Sequence, residues 1–192
     1  DSAMQNDLMT AGNAQVSTSV KKYGTGSVYF DGSGDGLQIL NPQNSIGSIT
    51  GDFTIELWVN WIVAPSGNSG GAERQFIGQH NWPEASSGNW WAAFGVLAGV
   101  QFYAAGGGSY DLISGSFTWS TGTWYHVAIT RSGSTVRIFV NGTQIGSGTS
   151  TKTLIADNVR PLTIGNDQGF DTNPMNGYID DLRITKGYAR YT

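Results

Sequence analysis

A chain of 192 residues with no cysteine has room for one sizeable β core, and disulfides, zinc thiolates and thiol nucleophiles are excluded. Its net charge is −4, and the ten Lys and Arg residues never cluster beyond Lys21-Lys22, which excludes a basic grip on nucleic acid. Twenty-eight glycines, seven tryptophans and abundant Ser, Thr and Asn describe short strands joined by tight turns, with aromatic anchors.

Taken in order, the chain opens on a polar stretch with one strand-like run at Ala14 to Thr18. These opening residues do not show the charged-then-apolar pattern of a signal sequence. Ser27 to Asp31 alternates as a strand and stops at Gly32. Ser33 to Gly36 turns the chain, and Leu37 to Leu40 returns. Residues 41–52 read as a loop with one helical turn at Gln43 to Ile46. The strongest strand signal follows. Phe53, Ile55, Leu57 and Val59 face one way, with Thr54, Glu56 and Trp58 on the other side.

Arg74 to Gln79 resumes as a strand, and His80 to Gly88 is an irregular excursion leading into Asn89-Trp90-Trp91. Trp90 to Ala105 is uncharged but short for a bilayer span and broken by Gly95 and Gly99. It reads as two strands joined around Leu97-Ala98-Gly99, so no membrane insertion is expected. Ser109 to Ile113 is a short strand. Trp124 to Arg131 and Thr135 to Val140 pair next, and Asn141-Gly142 makes a type I′ turn into Thr143 to Gly146. Asn141-Gly142-Thr143 is also a glycosylation sequon, but the turn explains it better. Pro161 to Ile164 is a strand, Gly165 to Asn176 an acidic loop, and a last strand closes the chain. With no amphipathic helix, repeat or linker, residues 1–192 read as one all-β domain.

In the closing strand, period two puts Asp180 on one face with Leu182 and Ile184, and Ile179, Asp181 and Arg183 on the other. A carboxylate among core aliphatics must be hydrogen-bonded, paired or bound to metal. A structural Asp held by hydrogen bonds and a Ca²⁺ ligand are the two alternatives.

Sugars are held by an aromatic face on their C–H patches, with amides, carboxylates or imidazoles fixing the hydroxyls. Two regions have that composition. His80, Asn81 and Trp82, followed by Trp90 and Trp91, set three tryptophans beside polar groups. The adjacent pair points to opposite faces if it lies on a strand, so only one of the two is core. The loop Gly165 to Asn173 brings Asp167, Asp171, three amides and Phe170, a composition that suits a Ca²⁺-assisted sugar site as well as a plain solvated loop. The serines near His80 and His126 form no triad pattern.

Six stretches together resemble the laminin G-like branch of the concanavalin A-like lectin/glucanase superfamily. They are Gly26 to Gly32, Gly51 to Val59, Trp124 to Arg131, Ile138 to Gly142, Pro161 to Gly165 and Asn176 to Ile184. The resemblance implies a jelly-roll sandwich of two curved antiparallel sheets. In related glucanases an Asp of the closing strand holds a structural Ca²⁺ with backbone carbonyls, which implies Asp180 as ligand and the Gly36 carbonyl as its partner. Those enzymes also carry Glu-x-Asp-x-x-Glu on one strand. Starting at Glu56 the same spacing gives Trp58 and Trp61, so no hydrolase and no catalytic residue is expected.

The ending Ile184 to Thr192 is similar to copies in phage virion and tail proteins and bacterial surface proteins, so the chain reads as a domain excised from something longer. The resulting expectation is a non-catalytic, extracellular recognition module on a virion or bacterial surface. It would bind a glycan or host-surface polysaccharide, and it could self-associate as a homo-oligomer within a larger assembly. The alternative is a structural or decoration module of a fibre or shell that makes only protein contacts.

Overall fold

The computed structural model describes residues 8–40, 48–69, 71–80, 89–154, 160–167 and 173–192. Along them the alternating stretches pair as strands. In chain order these are β1 (Leu8–Ala11), β2 (Gln15–Ser17), β3 (Ser27–Asp31), β4 (Gly36–Ile39), β5 (Phe53–Trp61), β6 (Arg74–Gln79) and β7 (Trp90–Val96). Then come β8 (Gly99–Gly106), β9 (Ser109–Ser116), β10 (Trp124–Ser132), β11 (Thr135–Val140), β12 (Thr143–Thr149), β13 (Leu162–Ile164) and β14 (Asn176–Lys186). The described residues contain no helix.

Two seven-stranded sheets result. The first runs β1-β4-β13-β6-β7-β8-β9 and the second β12-β11-β10-β5-β14-β3-β2. Neighbours pair antiparallel, giving the jelly-roll sandwich. Period two explains the core. Phe53, Ile55, Leu57 and Val59 of β5 are fully buried, and Ile129 of β10 lies opposite Ile55 in register. From the other sheet Phe76, Ile77, Trp91, Val100 and Phe102 meet them. Trp61, Phe76 and Trp119 pack with ring centroids 5.6 to 6.5 Å apart.

Thr54 and Glu56 are buried as well, although they face away from that core. The cause is the C-terminal segment, which crosses the outer face of the second sheet. Thr54 Oγ1 donates to the Tyr188 carbonyl and accepts the Arg190 N–H, and Thr130 Oγ1 donates to the Tyr191 carbonyl.

The Asn141-Gly142 turn forms as its residue types require, with φ of 50° and 79°. Asn141 Oδ1 accepts the His126 N–H, which fixes the turn against β10. Other expectations shift. β1 forms inside the polar leading stretch by pairing with β4, a partner that local alternation does not reveal. β9 runs to Ser116, because it pairs with β8 along its whole length. The helical turn expected at Gln43 to Ile46 lies outside the described residues.

The closing strand departs from simple alternation. Its pairing with β5 steps from Asp180 opposite Trp58 to Arg183 opposite Glu56, three residues against two. Asp181 takes up the extra residue at φ 44°, a bulge in the left-handed region that Asp tolerates. Ile179, Leu182 and Ile184 consequently all pack on the core, and Asp180 does not share their face. The grouping of Asp180 with Leu182 and Ile184 is thereby corrected.

Candidate ligand-binding face

Along β7 the chain alternates between the two sides of the first sheet. Trp91 and Ala93 enter the main core, whereas Ala92, Phe94 and Val96 form a separate apolar cluster on the outer face with Tyr103. β8 lies beside β7 with Tyr103 opposite Ala92, and β9 continues the row with Tyr110 opposite Ala105. The small side chains leave the rings standing as an aromatic ladder. Trp90 and Tyr103 are 5.8 Å apart, Tyr103 and Tyr110 5.7 Å, and Phe94 meets Tyr103 edge-on at 5.8 Å. His80 sits at the inner end, 5.8 Å from Trp90 and 5.3 Å from Phe94.

Trp90, Phe94 and Tyr103 border a slot whose polar lining is Ser69, Glu73, His80 and Asn173. Exposure grows along it: Trp90 is 4 % exposed, Tyr103 is half-buried, and Tyr110 is 55 % exposed. Burial drives the His80 imidazole down to about 4, helped by the positive charge of Arg160, so it is neutral at pH 7. Burial also raises the Tyr103 phenol, followed by the charge of Glu73. The Trp90 indole N–H, Gln79 Oε1 and Asn173 Oδ1 are buried without hydrogen-bond partners. Rings with unmatched donors and acceptors beside them form the kind of site that takes a polyhydroxylated ligand.

Of the residues singled out in the sequence, His80 and Trp90 meet in this slot, and Asn173 brings the end of the acidic loop to the same place. Trp91 does not belong to it. With no exposure it points between the sheets, so its ring packs core and is unavailable for stacking. Asp167 is fully buried rather than offered to solvent, its N–H donating to Asn166 Oδ1. Asn81, Trp82 and Asp171 lie outside the described residues. Glu73, Phe94, Tyr103 and Tyr110 were missed. A signal for the rings existed: folding β7 onto β8 around Leu97-Ala98 puts Phe94 and Tyr103 on the face of Trp90.

The outer face of the second sheet is organised around Glu56. Its Oε2 accepts the Tyr191 hydroxyl at 2.7 Å and lies 3.3 Å from His126 Nε2, while Oε1 is 3.5 Å from Arg190 and 3.7 Å from Arg183. Beside it, Trp58 carries the Lys22 ammonium at 4.3 Å and packs on Tyr23 and His126.

The carboxylate of Asp180 already accepts three backbone N–H groups, from Lys22 at 2.7 Å, Tyr23 at 3.0 Å and Asp181 at 2.8 Å. This arrangement does not fit a calcium ligand, since the N–H dipoles point at the oxygens an ion would need. Gly36 lies on β4, in the opposite sheet from Asp180. Of the two alternatives for Asp180, the hydrogen-bonded structural Asp is the one these contacts describe.

The model of a laminin G-like family of the concanavalin A-like lectin/glucanases superfamily matches residues 31–189, and the chain belongs to that superfamily. No curated protein matches the chain. Among solved structures it is similar to domain 4 of AbnA, a GH43 extracellular arabinanase from Geobacillus stearothermophilus, in complex with arabinotriose. Identity is 16 % and the TM-score 0.68, over 95 % of this chain and 82 % of that one. Domains LG4-5 of the mouse laminin alpha1 chain give 13 % and 0.60, over 90 % and 41 %. The enzymatically active domain of bacteriophage CBA120 tailspike protein 2 gives 11 % and 0.64, over 95 % and 29 %. The chain thus spans less than half of these last two. At such identities the likeness is one of fold.

Proposed function

We propose that this domain is a non-catalytic recognition module that binds carbohydrate at an extracellular surface, through the outer face of the first sheet. The observation that carries the reading is the ladder Trp90–Tyr103–Tyr110, which ends in an exposed ring and is lined by Glu73, His80 and Asn173. A sugar ring stacks on Tyr110 and Tyr103 at the mouth, and its hydroxyls reach the polar lining. The arabinotriose complex of a domain with this fold supports the ligand class. The absence of the glucanase carboxylate pattern supports recognition without hydrolysis. A virion or bacterial surface is the setting we infer, in keeping with the likeness to a phage tailspike.

A glycan array tests the reading. The unaltered chain is expected to be retained on at least one glycan and Tyr110→Ala to lose that retention; retention unchanged in Tyr110→Ala and Tyr103→Ala alike rejects it. A second reading, a structural module making protein contacts, is favoured by the apolar side chains on the two terminal strands. Leu8 and Met9 on β1 and Val16 on β2 are exposed at sheet edges that pair with no further strand among the described residues. Mass measurement in solution distinguishes it, since self-association through these edges would be lost in Val16→Lys.

A further inference from the structure

We propose that the slot at the inner end of the ladder selects an N-acetylated sugar, taking the methyl of a 2-acetamido group between its rings. This selectivity rests on carbohydrate binding at Tyr103 and Tyr110 and names the class of sugar bound there. Four rings close on one another around the slot. Centroids are 5.8 Å apart from His80 to Trp90, 5.8 Å from Trp90 to Tyr103, 5.8 Å from Tyr103 to Phe94 and 5.3 Å from Phe94 back to His80. All four line the same cavity. His80, Trp90 and Phe94 are at most 5 % exposed, and Tyr103 is the one wall that reaches solvent. The imidazole is neutral at pH 7, so the box of rings carries no charge of its own.

Size decides what enters. The slot offers about 20 Å³, little more than the roughly 10–15 Å³ that one water-sized group needs. A single methyl fits, whereas a trimethylammonium head or a whole sugar ring does not. The ring walls also suit a methyl better than a hydroxyl, which they would leave without partners. The polar groups of the lining specify what carries the methyl. Trp90 presents a donor, its indole N–H, and Asn173 an acceptor, Oδ1, and both are buried without hydrogen-bond partners. A deoxy-sugar methyl would answer neither, and an O-acetyl ester only the donor. An acetamido group brings a carbonyl for the indole and an N–H for the amide oxygen. Its reach agrees. Across a trans amide the sugar carbon and the methyl lie about 3.8 Å apart. Tyr110 at the mouth is 5.7 Å from Tyr103 and 6.0 Å from Trp90, so a pyranose stacked on it sets its 2-substituent at the box. Glu73 in the same lining disfavours a carboxylated sugar.

The test uses the full chain on glucose, galactose and mannose oligosaccharides in matched forms, each bearing a 2-hydroxyl, 2-amino, 2-acetamido or 2-propionamido group. Retention on an acetamido member is expected to exceed that on its hydroxyl and amino counterparts by about tenfold or more. The propionamido form should lose about tenfold, because one more methylene overfills the box. Trp90→Phe keeps a ring and removes the indole N–H, so it should narrow the acetamido-over-hydroxyl preference by about three- to tenfold. Equal retention of acetamido and hydroxyl members overturns the proposal, as does propionamido retention equal to acetamido. Choline chloride displacing the retained chain overturns it too, since that would mark a cage for cations. An undiminished preference in a folded Trp90→Phe removes the indole from it. No retention on any member also overturns the selectivity. The ladder itself falls only if Tyr110→Ala and Tyr103→Ala both keep the retention seen on the wider glycan array.

Discussion

Trp90 and Trp91 are sequence neighbours with opposite roles, and their difference sets the first prediction. Trp91→Ala opens a cavity between the sheets and should cost about 3–5 kcal/mol, read as a lower urea midpoint. Tyr110→Ala, at the exposed end of the ladder, should leave that midpoint within about 0.5 kcal/mol while removing glycan retention. His80 supplies the second prediction at this scale. Its folded value of about 4 lies below the unfolded value near 6.5, so between these pH values the unfolded chain binds a proton that the native one refuses. Stability should be full above pH 6.5, fall by on the order of 3 kcal/mol toward pH 4, and flatten below. The measurement is the difference between wild type and His80→Gln, which cancels the carboxylates; parallel pH profiles would sink it. Alternation made legible that one member of the Trp pair is core, because strands have period two. It did not tell which, since that depends on which side of the sheet the second layer packs. His80 was legible as polar beside aromatics, but its burial comes from strands distant in sequence.

Among the elements, β14 shows where local pattern stops being sufficient. The Asn141-Gly142 hairpin was readable because the two residue types are what two successive positive φ angles demand. The bulge at Asp181 was not, because Asp tolerates φ 44° without marking it and the register shift is imposed by β5. One inserted residue turned an expected inward carboxylate into an outward one. The bulge is testable. Asp181→Gly should stabilise by about 0.5–1 kcal/mol if the left-handed angle is the dominant cost there. Asp180→Ala should destabilise by about 2–3 kcal/mol, because three backbone N–H groups lose their acceptor together. Denaturant midpoints decide both, and a neutral Asp180→Ala would mean that water replaces the carboxylate at no cost. β1 and the full length of β9 were hidden for the same kind of reason, since pairing with β4 and β8 extends strands that are weak alone.

At the scale of the molecule, the two outer faces are put to different uses. On the first sheet the rings rise toward solvent; on the second the chain's own C-terminus lies across β5 and β10 and buries Glu56. Tyr191 is central to that strap. Its hydroxyl donates to Glu56, its ring packs on Phe139 and His126, and burial with the Glu56 hydrogen bond pushes its phenol up to about 12. Ending the chain at Gly187 would remove the partners of Thr54 and Thr130 and leave Glu56 facing Arg183 and His126 without the tyrosine. Loss of that many buried hydrogen bonds should cost at least about 3 kcal/mol, a drop of roughly 6–12 °C in Tm for a chain of this size. Glycan retention at 10 °C should nevertheless persist, because the ladder is on the opposite sheet and shares no hydrogen bond with the strap. If the truncated chain stays folded by circular dichroism yet loses retention, the recognition face is the Trp58–His126 groove under the strap. The assignment to the Trp90–Tyr103–Tyr110 ladder would then be wrong.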